Sequence, residues 1–106
     1  MGDVVLHIRL SRIAADPTAL DDCVAYIKSE VRQAVEFRPG SLGRSVLADR
    51  AEGAALFGSV WASSEEMSAS EETEAPLRAE LAKRAGSPVT VRSEERRVGK
   101  ECNRRC

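Results

Sequence analysis

Two hydrophobic periods take turns along this chain, and their order limits what it can fold into. Val4, Leu6, Ile8 and Leu10 alternate with Val5, His7 and Arg9. That period of two marks a strand over about 4–12. Asp16-Pro17 then opens a helix, because Asp accepts backbone N–H bonds as an N-cap and Pro at the first helical position forfeits no hydrogen bond. Leu20, Val24, Ile27, Val31 and Ala34 recur at steps of three and four, flanked by Cys23 and Val35. Asp21, Asp22, Lys28, Arg32 and Glu36 take the other face, so the spacing predicts an amphipathic helix over about 17–37. Pro39-Gly40 stops it.

Two further strands are read at 41–49, which holds Leu42, Val46 and Leu47, and at 54–62, which holds Leu56, Phe57, Val60 and Trp61. Arg50-Ala51-Glu52-Gly53 lies between them, a turn ending in Gly, so the two strands form an antiparallel hairpin. Ser63-Ser64-Glu65-Glu66 is a capping box with Ser63 as N-cap. The helical region it opens extends to Ala85, and Pro76 is expected to break or kink it. Leu77, Leu81 and Ala85 share a face of its second piece, Gly86-Ser87-Pro88 ends it, and Val89-Thr90-Val91 begins a last strand.

The order β-α-β-β-α-β is the ferredoxin-like split βαβ arrangement, an α+β fold with one antiparallel sheet and both helices on one face. At 106 residues, 42% apolar and 31% charged, the chain makes one small globular domain. It holds no apolar run of the roughly 20 residues that span a membrane. No secretory signal stands at the N-terminus. The strongest apolar set of strand 1 is expected to meet the helices, which would turn His7 to the opposite face.

The hairpin and its flanks, PGSLGRSVLADRAEG (Pro39–Gly53) and LFGSVWASSEEMSAS (Leu56–Ser70), resemble the antibiotic biosynthesis monooxygenase domain. That family shares a Pro-Gly after helix 1, a hairpin, a Trp ending strand 3 and a Ser-rich helix start, and the similarity covers nearly all of residues 1–91. The resemblance implies a dimeric α/β barrel, a homodimer formed through the sheets, with a pocket between sheet and helices in each subunit. It also implies oxidation of small aromatic or phenolic substrates by O2 with no metal, flavin or haem. A dry pocket that stabilises a substrate anion suffices for such chemistry.

By that resemblance Trp61 matches a pocket-lining Trp, whose indole N–H can donate to a bound oxyanion; its structural alternative is a core Trp packing helix 2 on the sheet. His7, the single histidine, is the candidate base. Phe57, Arg44 and Tyr26 are candidate substrate-binding residues, Arg9 is a second strand cation, and Phe37 is read as packing. The quinone-forming type carries Asn four residues before the Trp; here Phe57 stands there, which fits a more apolar site and a second reading, a non-catalytic dimeric module that binds small ligands. Residues 63–85 hold no His for the haem-degrading branch. One His and one Cys outside the last fifteen residues make no metal set, and no cofactor is expected.

Residues 92–106 differ from the rest: six basic and three acidic side chains there, against ten and fourteen in residues 1–91. A net negative domain argues against nucleic-acid binding. Arg92–Cys102, RSEERRVGKEC, resembles the in-frame translation of a short-read sequencing adapter. Residues 92–106 are therefore read as an artefactual tail, with the last strand truncated or altered, and residues 1–91 as the domain. Cys23 alone then bears on redox compartment and fits a reduced, cytoplasmic setting.

Overall fold

A computed structural model describes residues 4–98. Strand β1 spans Val4–Ala14 and leads into α1, Pro17–Tyr26. The helical path continues through a π turn, Ile27–Val31, into α2, Arg32–Glu36. Then come β2 (Ser41–Asp49), β3 (Ala54–Trp61), α3 (Ser64–Ala69), α4 (Glu71–Ala85) and β4 (Thr90–Val98). The sheet order is β2-β3-β1-β4 with every neighbouring pair antiparallel. This is the ferredoxin-like α+β fold.

The caps sit where the sequence places them. Asp16 Oδ1 accepts from the Ala19 amide at 2.9 Å, and Ser63 Oγ accepts from the Glu66 amide at 3.1 Å. Gly40 has φ +82°, and a Cβ there would fall 2.1 Å from a Glu66 carboxylate oxygen. Glycine is thus required both for the left-handed turn and for the close approach of α3.

The helix after β1 departs from a regular α-helix for a reason visible in its sequence. Its fully buried side chains are Leu20, Cys23, Ile27, Val31 and Val35. From Cys23 onward they recur every four residues. On an α-helix each such step would drift about 40° around the axis. A wider turn cancels the drift: the Arg32 amide donates to the Ile27 carbonyl, five residues back. Val24 and Ala34, expected on the buried stripe, lie half-buried beside it.

Pro76 does not break its helix. The chain bends at Ser70, where α3 ends and α4 begins, and Pro76 lies inside α4. The Ser70 carbonyl accepts from the amides of both Thr73 and Glu74, which starts a fresh helix before Pro76 is reached.

The faces of β1 are the reverse of the expectation. Arg9, Ser11 and Ile13 are buried and face the helices. Arg9 fixes the assignment, because its guanidinium reaches Ser70 and Met67. His7 lies on this same face, paired in register with Trp61. Leu6, Ile8 and Leu10 therefore point to the face without helices, half-exposed. Alternation separates the two faces of a strand without saying which meets the helices. Here an inner polar set is satisfied by residues far along the chain.

Strand β4 does not stop near Val91. It pairs with β1 from Arg12↔Thr90 to Val4↔Val98. Leu10, Ile8 and Leu6 thereby stand beside Arg92, Glu94 and Arg96. The remaining residues of the 92–106 segment lie outside the described residues.

Candidate functional site

The helix-facing layer of the sheet contains two unlike regions. The first is a closed polar network. Arg9 is 6% exposed and Glu74 2% exposed. The Arg9 guanidinium donates to Ser70 Oγ at 2.8 Å and to the Met67 carbonyl at 2.9 Å. It pairs with Glu74 at 3.1 Å and Glu71 at 3.4 Å. Ser70 Oγ lies 3.0 Å from the Glu74 carboxylate, and Arg78 pairs with Glu71. A buried ion pair survives when hydrogen bonds and opposite charges surround it, and Arg78 adds a further cation 3.9 Å from Glu74. Arg9 thus ties β1 to α4, with both terminal guanidinium nitrogens engaged inside the domain. Sequence reasoning named Arg9 but missed Glu74, which reads as a surface residue of a charged helix.

Trp61 belongs to the same closed interior. Its ring is fully buried and its Nε1–H donates to Ser59 Oγ at 2.9 Å. It lies on the helix side, as a pocket Trp would, with its donor already engaged. His7 sits beside it on β1, half-buried, at a shallow recess of about 280 Å³ formed with Ser64, Met67, Ser93, Glu94 and Glu95.

The second region is open. A cleft of about 350 Å³ lies between the π turn and the β2 edge of the sheet. Ile27, Val46 and Phe57 supply apolar surface; Lys28, Arg32, Arg44 and Ser45 supply polar atoms. The structure brings together two of the sequence-derived candidates here, Phe57 and Arg44. The Arg44 guanidinium pairs with Glu36 at 3.4 Å. Its Nε is buried without a hydrogen bond. Lys28 and Arg32 are exposed, as residues of the helix's polar face should be, and they also border this cleft. The four-residue steps that force the π turn were the signal that this face is unusual.

Tyr26 lies elsewhere. Its ring sits beneath the Arg84 guanidinium, 4.4 Å from the centroid, on the side where α1 meets α4. Burial pushes its hydroxyl above the ordinary tyrosine range, Glu80 and Glu30 add to the rise, and Arg84 opposes it. Phe37, expected to pack, is 82% exposed after the end of α2. Among the described residues no three His, Cys, Asp or Glu side chains converge as a metal site would require. None of the described helices is long and apolar enough to cross a membrane.

Sheet order, the hairpin and a cleft under the first helix define a ferredoxin-like α+β domain with the antibiotic biosynthesis monooxygenase fold. Solved structures carry that statement. A monooxygenase from the gene ActVA-Orf6 of Streptomyces coelicolor, solved with the ligand nanaomycin D, superposes with TM-score 0.72 at 17% identity, covering 91% of this chain and 90% of that one. A Deinococcus radiodurans protein named for the antibiotic biosynthesis monooxygenases gives 0.67 at 18% identity, covering 89% and 93%. A Nitrosomonas europaea protein of unknown function, NE2512, gives 0.71 at 17% identity, covering 88% and 90%. At such identities the likeness is one of fold. No family model matches the sequence. Among curated proteins, the uncharacterized protein Rv2557 of Mycobacterium tuberculosis is 30% identical over 87 residues, 82% of this chain and 39% of that protein. Rv2558 of the same organism is 34% identical over 74 residues, 70% and 31%. The chain thus spans about two-fifths or less of the curated relatives it matches.

Proposed function

We propose that this domain belongs to the antibiotic biosynthesis monooxygenases and that its cleft holds a small aromatic or phenolic substrate for oxidation by O2 without a cofactor. The cleft carries the reading: an apolar wall of Ile27, Val46 and Phe57 faces cations that would hold a substrate anion. An electron-rich phenol or anthrone reacts with O2 once deprotonated. Lining cations favour the deprotonated form, and the apolar wall covers one face of its ring. One oxygen atom enters the product as a quinone carbonyl and the other leaves as water.

In this reading the domain is a homodimer through the face of the sheet that bears no helices. Val4, Leu47 and Leu56 are exposed there, with Leu6, Ile8 and Leu10 between them. These aliphatic side chains share the face with Arg12, Arg92, Glu94 and Arg96, and exposed apolar surface of this kind suits association with a second copy. A reduced, cytoplasmic setting accompanies it.

A second reading is a non-catalytic dimeric module that binds the same class of ligand. Two observations favour it: Trp61 Nε1 is already bonded to Ser59, and Phe57 contributes no polar atom to the cleft. Oxygen uptake separates the two. Catalysis would show as O2 consumption above the buffer rate with hydroxyanthrones or hydroquinones, sharply reduced in a folded variant that loses a cleft cation, Arg44→Gln. Binding without uptake in either protein would support the module and overturn the oxygenase.

A further inference from the structure

The cleft's lining chooses among aromatic ligands more narrowly than the fold does. Three cations, Lys28, Arg32 and Arg44, border it. Lys28 and Arg32 make no ion pair or hydrogen bond among the described residues. Arg44 has a single carboxylate partner, Glu36 at 3.4 Å, and a buried Nε with no partner. The π turn widens the helix at the cleft wall: Ile27 and Lys28 lie within it and Arg32 closes it. Turns of this kind are rare and concentrate at functional sites.

Resting on the reading that this cleft is the ligand site, we propose that it selects planar aromatic ligands bearing a carboxylate. Arg44 is the anchoring group, Lys28 and Arg32 supply the surrounding positive charge, and Glu36 holds Arg44 until the ligand arrives. A guanidinium presents its donors as a fork that matches a carboxylate in two parallel hydrogen bonds. Glu36 already offers Arg44 a carboxylate from one side. A ligand carboxylate entering from the cleft meets the free Nε–H and displaces or shares that partner. Its ring system then lies on Phe57, Val46 and Ile27. The volume suits two or three fused rings, near the lower end of ordinary ligand pockets. The neutral amide of the same ring buries the same apolar area and lacks the charge.

The test is calorimetric titration of the full chain with 2-naphthoate and with 2-naphthamide. The carboxylate is expected to bind roughly tenfold tighter, about the worth of one charge-assisted hydrogen bond in a half-open site. Arg44→Gln should erase that ratio, because the carboxylate loses far more affinity than the amide does. Glu36→Gln should tighten the carboxylate selectively, a gain that misfolding does not produce. The Lys28→Gln, Arg32→Gln double variant should weaken the carboxylate a few-fold and flatten its salt dependence. Equal affinity of the two probes in the unaltered protein would overturn the carboxylate selection while leaving an aromatic cleft. A ratio that survives Arg44→Gln would overturn Arg44 as anchor. Failure of both probes to bind would remove the cleft as a ligand site and the selection with it.

Discussion

The two faces of the sheet contrast more than those of an ordinary two-layer domain. The face under the helices carries Arg9, Ser11, Ser59 and Trp61 among its apolar residues, and these polar groups are buried. The face without helices carries Leu6, Ile8, Leu10, Leu47 and Leu56, all at least partly exposed. Hydrophobicity alone would put them the other way round. The inner face tolerates a guanidinium because α3 and α4 deliver a carboxylate, a hydroxyl and a carbonyl to it. The outer face leaves aliphatic side chains uncovered, a surface that a second copy can cover. A residue's polarity tells less about its burial than whether partners reach it.

That contrast can be broken most forcefully at Arg9. Arg9→Met would leave the buried Glu74 carboxylate with only the Ser70 hydroxyl at 3.0 Å and Arg78 at 3.9 Å, with an expected loss of about 3 kcal/mol in urea unfolding. Adding Glu74→Leu should return part of that loss, since removing both charges also removes the stranded carboxylate. If Arg9→Met alone were neutral, the network would not hold the inner face. Trp61→Phe is the next step down. It removes the indole N–H from the buried Ser59 hydroxyl and should cost about 1–3 kcal/mol in the same measurement.

Cys23, also fully buried, sharpens the comparison through pH. Burial pushes its thiol up, Asp22 adds to the rise and Arg84 opposes it. A raised folded-state value means that above the ordinary thiol range the unfolded chain has lost a proton that the folded one keeps. The contribution is therefore whole at neutral pH and falls away as pH rises past about 8.5. The urea midpoint should decline more steeply above that pH in the native protein than in Cys23→Ala. Parallel declines would contradict it. The smallest effect belongs to the outer face: Leu47 is 67% exposed, and Leu47→Ser should alter the stability of the dilute protein by no more than about 0.5 kcal/mol.

Much of this fold was legible because its signals are local. Asp16, Ser63 and Gly53 announce caps and a turn through side-chain chemistry acting over three or four residues, and the elements begin and end near them. The facing of β1 was not legible, because the partners that let Arg9 be buried lie 58 and 61 positions away. Pro76 misled for a related reason: the bend at Ser70 had already restarted the helix. Of the cleft, Phe57 and Arg44 were within reach, one through a family resemblance and one as a strand cation. Lys28 and Arg32 were not, since the sequence places them on the exposed polar face, where they are, without showing that this face abuts a strand edge.

The most direct test of a ligand site on the inner side and an uncovered apolar face on the other is amide and methyl shift mapping by NMR during titration with 2-naphthoate. Shifts should concentrate at Ile27, Lys28, Arg32, Arg44, Val46 and Phe57, leaving Leu6, Ile8, Leu47 and Leu56 unmoved. Shifts confined to that second group would place the ligand on the outer face and contradict the assignment of the cleft.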